Sequence, residues 1–415
     1  MIQINRQRLL ERFLKYVQVG TTANPKSDQY PSTECQRDLG KILAQELVDM
    51  GASDVRQDEH GLVYATIPSN VKADHAPVVA LLAHVDTSPD APGHSVRPQV
   101  IESYPGGNIP LESGEVITPD ACPDLKELVG KTLITTDGTT LLGGDDKAGV
   151  AIIAELAQTL LENPQLLHGD LKVVFTCDEE IGHGTDKIDL QALAADVAYT
   201  LDGGGEGIID VETFSADGAT VKFIGDSIHP AIAKDRMINA LRGAADFIAA
   251  LPRETDTPET TAGRQGFIHA NTIVGQVAEV TVDLILRSFD TDDLGGYADQ
   301  LRKIAAQVES DWPGLKVVVE VRKQYRNLGE GLANLPQSID LAVKAFKNLG
   351  RPFKKEIIRG GTDGSVLTEK GLPTPNLSSG QHNIHSVREF ACLDEMVAAT
   401  EHLVELLKLW SDERL

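Results

Sequence analysis

The sequence predicts an α/β fold: a mixed, mostly parallel sheet with helices on both faces, into which a smaller α+β sandwich is inserted. Three observations carry this. APVVALLAHVD, LKVVFTCDEE and VAYTLDGGGEG are apolar enough to be strands buried on both faces, as parallel strands are. Residues 135–155, TTDGTTLLGGDDKAGVAIIAE, read as a short strand, a glycine turn and an amphipathic helix. From about Phe214 to Arg326 the pattern becomes strand, helix, strands, helix, strand, with antiparallel character. At 415 residues the chain is long for one core. The expected division is residues 1–213 and 327–415 for the main domain and 214–326 for the insert.

In chain order, MIQINRQRLLERFLKYVQV has the spacing of an amphipathic helix, and Ser32 or Thr33 is placed to cap a second helix ending near Gly51. GLVYATIP and then APVVALLAHVD follow as strands, the second ending in His84, Val85 and Asp86. Residues 87–130 are rich in Pro, Gly and Asp with little periodicity, and so long an irregular segment in a compact domain is usually functional. After the insert come a helix at SIDLAVKAFKNLG, strands at KKEIIRGG and PTPNLSSG, and a final helix from Leu393 to about Trp410.

The charge balance, 62 acidic against 38 basic residues for a net −24, argues against nucleic-acid and anionic-membrane partners. The amino terminus lacks the uninterrupted apolar core of a signal peptide, and no apolar run approaches the roughly 20 residues of a membrane span. Cys35, Cys122, Cys177 and Cys392 are far apart, so neither a disulfide framework nor a cysteine metal site is expected, and a reducing cytoplasm is the natural compartment.

The chemistry concentrates at strand ends. Four of them deliver His84 with Asp86, Asp145 with Asp146, Glu179 with Glu180, and Asp202; His382 or His385 follows a fifth. In a parallel sheet the carboxyl ends share one edge, so these side chains converge. Histidines and carboxylates around one point suit zinc, cobalt or manganese, and so many carboxylates suit two ions sharing one of them. His84 and Asp86, two apart on an extended segment, lie on one face, so the carboxylate can orient the imidazole. Glu179 and Glu180 point to different sides and are expected to play different roles. Singly, each piece has a plainer explanation: a helix cap for the Asp145 turn, a solvated strand end for DEE, a turn for DGGG. Their joint occurrence favours the site.

HVDTSPD, TTDGTTLLGGDDKAG, DEEIGHG, YTLDGGGEG, IRGGTDG and NIHSVREF occur in the order found in the co-catalytic zinc exopeptidases, a family that includes aminoacylases and glutamate carboxypeptidases. The chain most resembles the tripeptide aminopeptidases among them. The resemblance implies a metal-dependent aminopeptidase that releases the amino-terminal residue of short peptides, tripeptides above all. It also implies two zinc ions per subunit, replaceable by cobalt or manganese. Asp145 would bridge them, with His84 and Asp202 on one ion and Glu180 and His385 on the other. Glu179 would be the general base, and Asp86 would orient His84. Asp146 is left as supporting structure, and His385 rather than His382 matches the ligand. His183 has no support from the resemblance, and His60, His75, His94, His168, His269 and His402 are assigned to surface or core.

In the insert, HPAIAKDRMINA resembles the family's lid segment, which makes His229 a candidate helper of the oxyanion, although Ala231 to Arg236 depart from the usual glycine-containing form. Asn239, Arg287 and Arg359 are candidates for holding a peptide carbonyl or carboxylate. The lid also leaves a homodimer open. The competing readings are an N-acyl amino acid deacylase or carboxypeptidase with the same metal site and, more remotely, a non-catalytic metal-binding interaction protein.

Overall fold

The computed structural model describes residues 3–71 and 76–414; His75, assigned above to surface or core, lies outside them. The chain forms two compact units, one of residues 1–211, 331–356 and 362–415, the other of residues 212–330 and 357–361. The second therefore takes in the short return at Ile357–Gly361, beyond the 214–326 expected for the insert.

The centre of the first unit is four parallel strands, in the order Leu171–Thr176, Val79–His84, Val197–Gly204 and Asn376–His382. Val79 stands beside Leu171 and His84 beside Thr176, so both strands end level. Antiparallel strands flank this core: Val63–Ile67 and Ser53–Gln57 on one side, Phe390–Cys392, Leu133–Thr135 and Gln99–Ile101 on the other.

Side chains alternate faces along each strand. Val79, Leu81 and Ala83 join a large core with the helices Arg6–Val17, Cys35–Met50, Gly144–Glu162, Gln337–Leu349 and Leu393–Ser411. Ala80 and Leu82 turn to a smaller core beneath the short helices Leu190–Leu193 and Asp363–Glu369. The two helical layers are thus unequal. The irregular segment after His84 has a small core of its own, in which Tyr104, Ile109, Leu111, Ile117 and Leu125 pack with Leu133 and Phe390.

The second helix ends as expected, with Gly51 at φ 90° donating back to Leu47 and Val48. Its start differs. Neither Ser32 nor Thr33 caps it: the Ser32 hydroxyl donates to Asp178 and the Thr33 hydroxyl to the Thr22 carbonyl. A partner distant in sequence outcompetes the local cap. The four cysteines are free thiols. Among the described residues no helix is long and apolar enough to cross a membrane.

The second unit is an antiparallel sheet in the order Phe267–Gly275, Glu279–Ser288, Ser215–Ile224 and Lys316–Tyr325. The helices Ala240–Ala250 and Thr291–Asp311 pack on it through Phe247, Leu301, Ala305 and Val308 against Val221, Phe223, Val280 and Val282. This is the two-layer sandwich that two strand-helix-strand units form.

The long helix Gly144–Glu162 is fixed to the first helix by charge as well as packing. Glu155, fully buried, accepts from Arg8 and from Arg12, each at 2.7 Å. Removing the carboxylate leaves the buried Arg12 short of a partner. Glu155→Leu is expected to cost about 3 kcal/mol of stability by chemical denaturation; a loss under about 0.5 kcal/mol would show the pair to be dispensable.

Candidate metal centre

The carboxyl edge of the parallel strands gathers two donor triads that share one residue: His84, Asp145 and Asp202, and Asp145, Glu180 and His385. The His84 Nε2 lies 3.0 Å from Asp145 Oδ1 and 3.8 Å from Asp202 Oδ1. The His385 Nε2 lies 3.3 Å from Asp145 Oδ2 and 3.0 Å from Glu180 Oε2. The two oxygens of Asp145 thus serve different histidines.

Both imidazoles are aimed by their other nitrogen. His84 Nδ1 is 3.1 Å from the Asp86 carbonyl, which only accepts, so Nδ1 carries a proton and Nε2 faces the cluster. His385 Nδ1 is 3.1 Å from Asp90 and 3.3 Å from the Ser88 hydroxyl. The irregular segment after His84 therefore supplies the residues that steady His385.

Asp86 has a second contact besides the histidine. Its carboxylate stands 3.4 Å from the His84 ring, while its two oxygens accept the Glu179 and Glu180 N–H groups at 3.1 Å each. It aims the histidine mainly through its carbonyl and holds the glutamate pair through its side chain. Glu179, with Oε2 4.0 Å from His84 Nε2, belongs to neither triad. The two glutamates do part ways.

The LLGGDDKAG turn is now explicable residue by residue. Gly143 adopts φ 78°, a conformation side chains avoid. The fully buried Asp146 accepts from the main-chain N–H groups of His84 and Gly149, and a Cβ on Gly149 would lie 2.5 Å from its carboxylate. Buried Lys147 donates to the Val19 carbonyl at 2.8 Å, and burial brings its pKa down to about 8.

Other residues take quieter places. His382 is buried between Glu395 and Asp124 and stacks on Phe390; His183 is exposed and pairs with Asp186. His168 and His402 are buried, His94 is exposed, and His60 and His269 are partly buried. In the second unit, His229 accepts from Ala231 N–H at the head of a short turn, and Asn239 caps the helix Ala240–Ala250 through Leu241 N–H. The Arg287 guanidinium donates to the carbonyls of Asp217 and Leu286. Arg359 donates to the Gly263 and Gln265 carbonyls and the Thr261 hydroxyl and lies over Phe214. These two forks are thus engaged within their own unit.

Sequence reasoning passed over three buried carboxylates. Asp178, at φ 63°, accepts from Ser32 and Gln36 and anchors the DEE segment. Asp363 accepts from the Thr176 hydroxyl at 3.0 Å, and burial raises its pKa to about 7. Glu389 accepts from three main-chain N–H groups of the LLGGDD turn. Each lies in a motif stretch, DEE, TDG or REF, but nothing in its residue type separates anchor from ligand.

The donor set suits divalent cations. Burial raises Asp202 to about 6, Glu180 to about 7 and Glu179 well above the usual carboxylate range, the charges of Asp145 and Asp202 adding to the effect. Among the described residues Glu180 Oε1, which is buried, has no hydrogen-bond partner. Buried carboxylates in this number, one of them with an idle oxygen, call for positive charge.

Carboxylates gathered at the carboxyl edge of the parallel strands, bracketed by two histidines and flanked by a glutamate outside both triads, are a donor set fit for a metallohydrolase. The comparisons give the family. The model of peptidase family M20/M25/M40 matches residues 137–409. Peptidase T of Geobacillus sp. (strain WCH70) is 41% identical over 410 residues, 98% of this chain and 100% of that one. Accordingly, the chain belongs to the M20 peptidase family and is a metallopeptidase. The crystal structure of a tripeptidase from Staphylococcus aureus subsp. aureus Mu50 shares the fold, with TM-score 0.77 and 24% identity over 99% of this chain and 100% of that one. So does a Bacillus subtilis dinuclear metal binding peptidase of family M20, with TM-score 0.64 and 14% identity over 97% of this chain and 98% of that one.

Without a cation, hydrogen bonds to Asp145 and Glu180 raise His385 to about 11, and the neighbouring carboxylates of Asp145, Asp202 and Asp86 outweigh burial to raise His84. Cations bind only the neutral imidazoles, so binding must expel protons and weaken as the pH falls. Zinc titrations of the cation-free protein in buffers of different ionisation enthalpy should show proton release at neutral pH; none would contradict these protonation states.

Proposed function

We propose that this chain is an aminopeptidase that removes the amino-terminal residue of short peptides, above all tripeptides, using two zinc ions. The observation that carries this reading is one carboxylate, Asp145, shared between two histidine-carboxylate triads, with Glu179 alongside and outside both. The relative named Peptidase T, similar along the whole chain, and the fold shared with a tripeptidase support the choice of substrate. The mixture of imidazole and carboxylate donors suits zinc, and cobalt or manganese would be accommodated by the same set.

His84, Asp145 and Asp202 would hold one cation, and Asp145, Glu180 and His385 the other. Bound there, a cation pair lowers the pKa of a water and polarises a carbonyl. The protein's own part is proton transfer and orientation. Glu179 takes a proton from the attacking water and passes it to the leaving amine. Burial holds its carboxyl well above the usual carboxylate range, which favours its carrying a proton. Asp86 holds Glu179 and Glu180 at adjacent N–H groups, so that one stays free for the proton while its neighbour ligates. His229 in the second unit is retained as the candidate oxyanion helper.

The discriminating assay presents a tripeptide, its N-acetylated form, an N-acyl amino acid and longer peptides, each with and without a chelator. Free tripeptide should be cleaved at its first bond, acetylation should stop the reaction, and the chelator should abolish it. Glu179→Gln should keep its cations yet lose roughly 10²- to 10⁴-fold in turnover. Equal cleavage of the acetylated peptide would point to a deacylase or carboxypeptidase, and a near-normal rate for the variant would remove Glu179 as the base.

A further inference from the structure

We propose that Glu389 is a positioning residue of this centre: it sets where Asp145 stands between the two histidines, and it governs above all the cation site of His385 and Glu180. The inference rests on reading the two triads as cation sites.

Glu389 is 1% exposed and is in neither triad. Its Oε2 accepts the Leu142 and Gly143 N–H groups, each at 2.8 Å, and its Oε1 accepts the Asp145 N–H at 3.0 Å. Convergent N–H groups of a turn form a concavity for an anion, and here the anion is a side chain of the same protein. The last of the three donors is the main chain of the shared ligand itself, so the carboxylate fixes the point from which Asp145 reaches both histidines.

The other end of the connection is the loop that carries His385. Glu389 N–H donates to the Ser386 carbonyl at 3.0 Å, and Asn383 donates to the Arg388 carbonyl at 2.8 Å, bracing residues 383–389 around His385. One carboxylate therefore joins a ligand-bearing loop to a ligand-bearing turn. Gly144 accommodates it: a Cβ there would lie 3.1 Å from Glu389 Oε1.

The consequence is unequal for the two triads. His84 and Asp202 lie in strands of the parallel core and keep their places whatever Glu389 does. Without Glu389 their triad loses only the aim of Asp145. The other triad loses that aim and the tether between the His385 loop and the turn together. Glutamine cannot substitute, because it offers a single acceptor oxygen and turns its own N–H₂ toward main-chain donors.

The test is calorimetric titration of the full-length, chelator-stripped protein with Zn²⁺, with thermal unfolding followed in parallel. Two reference variants leave one triad each: His84→Ala keeps the His385 site and His385→Ala keeps the His84 site. Adding Glu389→Gln to His84→Ala should weaken the remaining site by about 10- to 100-fold. Adding it to His385→Ala should change the remaining site by no more than about twofold. Equal weakening in both backgrounds, or none in either, overturns the proposal; equal weakening would mark Glu389 as a general prop of the fold. If the glutamine variants do not accumulate as folded protein, Gly144→Ala, which crowds the carboxylate without removing it, carries the same comparison with the same outcomes. A wild-type protein that binds no Zn²⁺ would sink the cation reading itself, a failure distinct from loss of the asymmetry.

Discussion

Everything at this centre depends on one aspartate being held so that its two oxygens face opposite ways. Asp145 meets His84 through Oδ1 and His385 through Oδ2, and these histidines come from chain segments three hundred residues apart in sequence. A carboxylate on an ordinary helix could not be trusted to keep that bearing. Here it stands at a glycine turn ahead of a buried helix, with Gly143 in the left-handed region and Asp145 and Asp146 themselves non-helical. The turn holds because its polar groups are spoken for: Asp146 binds the main chain at His84 and Gly149, Lys147 reaches Val19, and Glu389 gathers three N–H groups.

The same economy of main-chain contacts runs around the rest of the rim. Asp86 steadies Glu179 and Glu180 through their N–H groups, and Asp178 ties that segment to Ser32 and Gln36. Ligands are thus fixed at their backbones rather than only by their neighbours' side chains. This matters because the ligand carboxylates repel one another, and burial pushes Glu179, Glu180 and Asp202 toward protonation. Rigid anchoring holds them together against that repulsion, and on the function proposed above it would leave Glu179 as the member free to exchange a proton.

Much of this was legible in the sequence, for identifiable reasons. Apolar runs ending in His84, Asp178 and Asp202 announce parallel strands, and parallel strands place their ends together, so the meeting of distant residues follows from patterning alone. Where local rules failed, a distant partner had intervened. Ser32 looks like a helix cap until Asp178 is seen to claim its hydroxyl. Arg359 looks like a substrate fork until the Gly263 and Gln265 carbonyls are placed around it. Glu389 and Asp363 were hidden for the converse reason: an anchor and a ligand are the same residue type, and only the positions of main-chain N–H groups and hydroxyls tell them apart.

The central claim is that two cations share Asp145, and anomalous diffraction from zinc-loaded crystals tests it directly. The account predicts two peaks roughly 3.5–4 Å apart, each bonded to a different oxygen of Asp145, with His84 and Asp202 around one and Glu180 and His385 around the other. A single peak, or two peaks that do not share Asp145, would contradict it.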